Sequence, residues 1–522
     1  MRLAALLALT IVAGVLRFTA LDFGLPDKFR PDEEYLTSRA VGFRNDFNPN
    51  FSIYPAGQMY VQHGVLRLVA LIEGHEGDFR ELFLPDGLAR AHLVGRQVSA
   101  AFGTATIPAM YWAVLPAYGA PAALASAGVM ALATLHVRDS KFATADAACV
   151  FWLTMAMGML LRIVTRGRRM DSLLAGIFVG AAIGTKYPAG ALLGGLALAH
   201  VGARFREGRA LWRVVRDIRP YLTLWAALVT TICFTPYLLL DWEETVTGFA
   251  YQRGFVERGV GNHFAGWGWA WLFTRAFPDS LGDVLSLLLG AAVLWAILRP
   301  RPGTWSLLAF VLIACAGIAA SRYTFYRYLL IPLPALAILA GLLWSDVREF
   351  LEDRSGPQIA NALATLGLVL LLIPAGIRDY KINRLLDRRD SRTVAREWIA
   401  TNIPRGASIA MTDRGTPYGK PTIGNRKGTP FVDVADARRR GVRWVLSDSS
   451  ILPFYSRGPS ASQLADLQQS ASLVLDIDPR KPDTPTPVYD QADAFYVPLR
   501  HASSIKRPGP RIRIWEIESL AP

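Results

Sequence analysis

Three consecutive carboxylates, Asp32, Glu33 and Glu34, follow a proline in the stretch RPDEEYLTSR, shortly after a strongly apolar run. Carboxylates so placed can take a proton from a hydroxyl or hold a divalent metal such as Mg or Mn. They also suit the first turn of a helix, where Pro31 fits and acids complement the macrodipole. A second acid, Asp146, closes the polar stretch HVRDSKFATAD and opens another apolar run, as an N-cap or as a further acid. His136, Asp139 and Lys141 in that stretch read as boundary residues. In GTKYP, Lys186 interrupts two apolar runs, either as a snorkelling lysine or as a cation for a phosphate. SRYTFYRYLLIPLP sets Arg322 and Arg327 beside Tyr323, Tyr326 and Tyr328. That mixture makes an interfacial aromatic belt or a seat for an anionic head group. Asn262 and His263 lie in a glycine-flanked loop able to move as a lid, followed by the alternating Trp267, Trp269 and Trp271.

The elements that must position these residues are mostly membrane helices. The chain has 522 residues, of which 52% are hydrophobic. Apolar runs of bilayer-crossing length recur at 3–22, 90–116, 119–137, 145–163, 172–186, 187–203, 221–240, 282–298, 304–320, 328–345 and 359–377. The expectation is a polytopic α-helical membrane protein with about eleven spans. MRLAALLALTIVAGVL resembles a signal peptide but lacks a clear small-x-small cleavage site, so it reads as an uncleaved first helix. The three cysteines, Cys149, Cys233 and Cys315, lie in apolar runs and read as small buried hydrophobes, with no disulfide framework or zinc spacing.

The net charge is +14. Much of the excess sits in short loops, at Arg162, Arg166, Arg168 and Arg169, at 204–219, and at Arg299 and Arg301. This is a topology signal rather than the continuous basic face that nucleic acid requires, so no nucleic-acid partner is expected. With these loops cytoplasmic, the N-terminus is inside. The long loops 23–89 and 241–281 then face outside with the acidic and aromatic residues. Within the first of them, YPAGQMYVQHGVLRLVALI reads as an amphipathic helix on the membrane surface. From residue 381 the pattern changes. DSRTVAREWIATNIPRG and ASQLADLQQ read as helices, and ASIAMT, RWVLSD, SLVLDI and RIRIWEI as short strands. The expected organisation is a membrane domain over 1–380 and a small α/β extracytoplasmic domain over 381–522.

RPDEEY after a first span, the YPAGQMY surface helix, HVRDSKFATAD, GTKYP, RYTFYRYLLIPLP and a terminal α/β domain occur here in one order. Together they resemble the GT-C glycosyltransferases, specifically the dolichyl-phosphate-mannose-protein mannosyltransferase-like family, to whose wider group the lipid A aminoarabinose transferases belong. The resemblance covers about 1–380 and more loosely the tail. It implies a GT-C fold with outer-face juxtamembrane helices. It also implies inverting sugar transfer from a polyprenyl-phosphate donor to a hydroxyl of a glycan, lipid or protein, in the plasma (inner) membrane. Asp32 would be the catalytic carboxylate, with Glu33 beside it and Asp146 as the second acid. Lys186, Arg322, Arg327 and Tyr328 would bind the donor phosphate, and Asn262 and His263 would belong to the acceptor or lid loop. A metal, if used, would fall to Asp32, Glu33 and Asp146. No glycine-rich nucleotide loop is present, in keeping with a lipid-linked donor. The rival reading is a transporter or flippase, which would place ionisable groups near the bilayer midplane. Here they gather at one outer boundary.

Overall fold

A computed structural model describes residues 2–27, 29–43, 47–84, 87–208, 211–258, 267–322, 324–413, 417–452, 454–490 and 493–518. The chain divides into two compact units. One, the membrane unit, comprises Met1–Leu21 and Tyr35–Tyr380; the other, the C-terminal unit, comprises Asp22–Glu34 and Lys381–Pro522. The segment carrying the acidic triplet, expected as part of an outer loop of the membrane domain, therefore packs with the tail.

Helices dominate the membrane unit. Among the described residues, three helical stretches are long and apolar enough to cross a bilayer: Leu88–Leu132, Asp146–Arg166, and Leu333–Asn402, which runs on past the end of the membrane unit at Tyr380. Ile218–Phe234, Asp283–Leu298 and Thr304–Ala320 are apolar but shorter. The runs read as 90–116 and 119–137 belong to one stretch that breaks at Gly119, where φ is 80°. The runs 328–345 and 359–377 are likewise joined through Gly356, at φ 77°. Both breaks fall on a glycine at positive φ with a proline soon after it, Pro121 two residues on and Pro357 immediately following. Cys149 and Cys315 are buried, whereas Cys233 is exposed, against the expectation for it.

Small residues let the helices approach closely. Gly176, Gly180 and Gly184 recur four apart along Arg169–Ile183 and its end. A side chain at Gly180 would run into the Ala227 backbone of Ile218–Phe234, and one at Gly184 into Phe234. This is the small-xxx-small packing that brings membrane helices together without a hydrophobic driving force. The helix Gly57–Ile72 forms where a surface helix was expected. It turns Gln58, Gln62 and His63 inward, while Leu68, Leu71 and Ile72 are exposed. An outward apolar edge is what a helix lying in the bilayer interface presents.

The C-terminal unit carries a five-stranded sheet. Its strands are β1 (Ser408–Met411), β2 (Lys427–Pro430), β3 (Trp444–Ser449), β4 (Ser472–Ile477) and β5 (Arg511–Glu516), ordered β2-β1-β3-β5-β4. β1 runs parallel to β2 and β3, and β5 is antiparallel to β3 and β4. Alternation along β3 sends Trp444 and Leu446 to a core with Ala395 and Ile399 of the helix Ser391–Asn402. Val445 goes to the opposite core with Val434, Ala437 and Leu467. The sheet thus has helices on both faces. Ser460 and Gln463 form a capping box that starts the helix Ala461–Ser470. At one edge β2 is short and ends at Pro430; at the other, the β4–β5 register slips between Leu473 and Leu475.

Candidate active site

In the membrane unit, two of the residues singled out above meet. Lys186 is presented by the turn after Arg169–Ile183, and its N–H donates to the Ala182 carbonyl at 2.8 Å. The turn is fixed from a second side, because the Gly57 N–H donates to the Gly184 carbonyl at 3.0 Å. From this position the Lys186 ammonium contacts the Asp146 carboxylate directly. Asp146 is the first residue of the helix Asp146–Arg166, and its other oxygen accepts from the Thr144 hydroxyl at 3.1 Å. Asp146 and Lys186 are 5% and 9% exposed, so the pair is desolvated and each charge depends on the other.

Tyr328 completes this cluster, with the Lys186 ammonium 5.5 Å from its ring centroid. It belongs to the short helical turn Tyr326–Leu330, which is anchored by the Tyr326 hydroxyl donating to Asp279 at 3.0 Å. Arg327, next to Tyr328, is buried and stacks on Phe325 at 4.4 Å. Arg322 lies apart in character: it is exposed, and its N–H donates to the Val256 carbonyl. Asn262 and His263 lie outside the described residues.

His136, Asp139 and Lys141, read as boundary residues, are all three buried within the protein. The His136 ring takes a hydrogen bond with Arg17 at 2.8 Å, and Arg17 also donates to the Ala131 and Met130 carbonyls. Lys141 donates to the Thr19 carbonyl at 2.6 Å. The stretch therefore fastens the end of the first helix, because buried cations there satisfy carbonyls that the helix terminus leaves open.

The acidic triplet sits in the C-terminal unit. Pro31 opens the helix Pro31–Gly42, as its type predicts, with all three acids in the first turn. The Asp32 side chain is 24% exposed and has Arg30 at 3.9 Å. Glu33 is buried, and Glu34 accepts from the Tyr418 hydroxyl at 3.0 Å. Upstream, Asp27 accepts from Thr393 and Arg396, each at 3.0 Å. Composition and spacing gave no hint of Tyr418 or Arg396. Arg392 had a faint signal: a cation in a helix's first turn opposes the macrodipole and so needs another reason to be there. It is fully buried, held by Asp390, and stacked 3.6 Å from the Phe29 ring centroid.

As a metal-ligand set, the acids do not fit. Among the described residues no group of three or more His, Cys, Asp or Glu side chains is placed to hold a metal ion. Asp146 already uses its two oxygens on Lys186 and Thr144. The membrane unit offers a buried cation held by a carboxylate and facing an aromatic ring; the C-terminal unit, taken by itself, offers a partly exposed carboxylate on a helix start.

Residues 73–243 match the family described as dolichyl-phosphate-mannose-protein mannosyltransferase. The match includes Asp146 and Lys186 and leaves out Asp32, Arg327 and Tyr328. No curated protein matches the chain. Among solved structures, ArnT from Cupriavidus metallidurans bound to undecaprenyl phosphate is 15% identical with a TM-score of 0.51, over 100% of this chain and 98% of that one. The archaeal oligosaccharyltransferase AglB from Archaeoglobus fulgidus, in complex with an inhibitory peptide and a dolichol-phosphate, is 13% identical with a TM-score of 0.50, over 95% of this chain and 77% of that one. The fold is therefore the one the sequence motifs implied: a helical, multi-pass membrane architecture of GT-C type with a small C-terminal sheet.

Proposed function

We propose that the protein is an integral-membrane glycosyltransferase that moves a sugar from a polyprenyl-phosphate carrier to an acceptor hydroxyl, with inversion, at the extracytoplasmic face of the plasma (inner) membrane. One observation carries this reading: the buried Lys186 ammonium, held by Asp146 and facing the ring of Tyr328. The two solved relatives whose structures hold undecaprenyl phosphate and dolichol-phosphate support a carrier of that class here.

The scheme follows from charge. The acceptor oxygen attacks the anomeric carbon from the face opposite the phosphate, while Asp32 takes the hydroxyl proton. The bond from the anomeric carbon to the phosphate oxygen breaks, and its electron pair leaves on the phosphate. That leaving group needs positive charge rather than a strong acid, and Lys186 and Arg327 supply it. Asp146 does no proton chemistry; it fixes where the Lys186 ammonium sits. The products are the glycosylated acceptor and free polyprenyl phosphate. The scheme places the N-terminus in the cytoplasm and about eleven helices in the bilayer.

The test is turnover in lipid discs with a panel of polyprenyl-phosphate sugars and candidate glycan, lipid and protein acceptors, following release of free polyprenyl phosphate. Wild-type release that Asp32→Asn abolishes supports the reading. Movement of the carrier across the bilayer without sugar release would replace it with the transporter reading.

A further inference from the structure

We infer that the C-terminal unit positions the acidic triplet, with Tyr418 as a positioning residue that acts through its bond to Glu34. This rests on the proposed role of Asp32. The segment Asp22–Glu34 is far in sequence from the tail, yet both belong to one compact unit. It is fastened there at successive points. Phe23 packs edge-on against Phe495, with ring centroids 4.9 Å apart. Asp27 is buried and bonded to Arg396 and Thr393 of the helix Ser391–Asn402. Phe29 lies under the Arg392 guanidinium, and Arg30 stacks on Phe495 at 5.6 Å. Glu34 accepts from Tyr418.

The anchors come from separate parts of the tail. Arg392 and Arg396 sit on one helix, Tyr418 on the turn Pro417–Gly419, and Phe495 on a segment whose backbone is held by Asp493. Arg392 also ties these parts to each other, since it donates to the carbonyls of Tyr418 and Ala494. A segment held at one point pivots; one held by an ion pair, a stacked ring and a hydroxyl along its length does not. Asp32 lies between two of the fixed points, Arg30 and Glu34, and its own side chain stays partly exposed. That is the condition for a general base: immobile backbone, accessible oxygen. On this view the tail is part of the catalytic apparatus even though it supplies none of the reacting groups.

The experiment uses the full chain in lipid discs and two readouts, amide hydrogen exchange over 22–34 and steady-state turnover of the donor. Tyr418→Phe removes one oxygen and keeps the ring that packs at 5.9 Å on Tyr455. It is expected to raise exchange over 22–34, leave exchange in the sheet unchanged, and lower kcat about a hundredfold at unchanged donor KM. Arg396→Ala should do the same, and the charge swap Asp27→Arg with Arg396→Asp should recover part of the loss. Unchanged exchange over 22–34 in Tyr418→Phe overturns the clamp whatever the activity. Raised exchange with unchanged kcat overturns the positioning role. Wild-type protein without turnover on any donor overturns the proposed function and the catalytic purpose of the clamp together, while the exchange readout still decides whether the clamp exists.

Discussion

Asp32 and Asp146 are the same residue type, each in the first turn of a helix, and their surroundings separate them. Asp146 is buried against Lys186 and Thr144, with both oxygens occupied. Asp32 keeps 24% of its side chain exposed, and its ion-pair partner Arg30 stands at 3.9 Å. A desolvated carboxylate in contact with an ammonium has little left for an incoming hydroxyl, since breaking that pair would strand a buried charge. A carboxylate that keeps 24% of its side chain exposed stays open to an incoming hydroxyl from the solvent side. Under the proposed scheme the contrast divides the work: Asp32 is the aspartate that reacts, and Asp146 holds the cation that the leaving group needs.

The largest effect is expected for Asp32→Asn, a loss of donor turnover of about a thousandfold with the thermal unfolding curve unchanged. The division would break if Asp146→Asn gave the same pattern. Instead, Asp146→Asn or Lys186→Met alone should lower turnover about a hundredfold and also destabilise the membrane unit by about 3 kcal/mol, because either breaks a buried ion pair by removing one of its two charges. The double variant Asp146→Asn with Lys186→Met should recover the unfolding temperature and none of the turnover.

A third aspartate sharpens the point. Asp448 on β3 is buried in the C-terminal unit, and burial pushes its carboxyl up to about 6 from 3.8, offset in part by Ser456 and Lys420. The folded state therefore holds this proton more tightly than the unfolded chain. Stability falls as pH rises from about 4 to 6, and the full penalty of up to about 3 kcal/mol is present at pH 7. Asp448→Asn should unfold at higher temperature than wild type at pH 7 and at the same temperature at pH 4, read by thermal melts across that range. The smallest effect is expected at Arg322, which is exposed. Arg322→Gln should change turnover by roughly twofold, since a screened surface charge does little, whereas the buried Arg327→Gln should cost far more.

Much of this was legible because periodicity is local. The apolar runs, the helix at Pro31, and four of the five strands follow from residue types within a few positions of each other. β2 was not, because KGTP has no alternation and becomes a strand only by pairing with β1. Asp146 and Lys186 were each visible beside an apolar run, but their contact spans 40 positions and joins the start of Asp146–Arg166 to the turn after Arg169–Ile183. The bond between Asp27 and Arg396 joins residues 369 positions apart, so nothing near Asp27 announces it. The burial of His136, Asp139 and Lys141 was not legible either. Polar residues beside an apolar run look solvated, yet these are buried.

The ends of the sheet bear on what the tail can recognise. β2 runs only from Lys427 to Pro430, and a proline offers no N–H to a further strand. β4 is bulged at Leu473 and Leu475, which twists that side away from a flat template. Neither margin invites an extended chain to dock as a sixth strand. A polypeptide that met the sheet at these margins would be held by side chains and loops, one group at a time, rather than by the backbone ladder through which many peptide-binding domains read their partners.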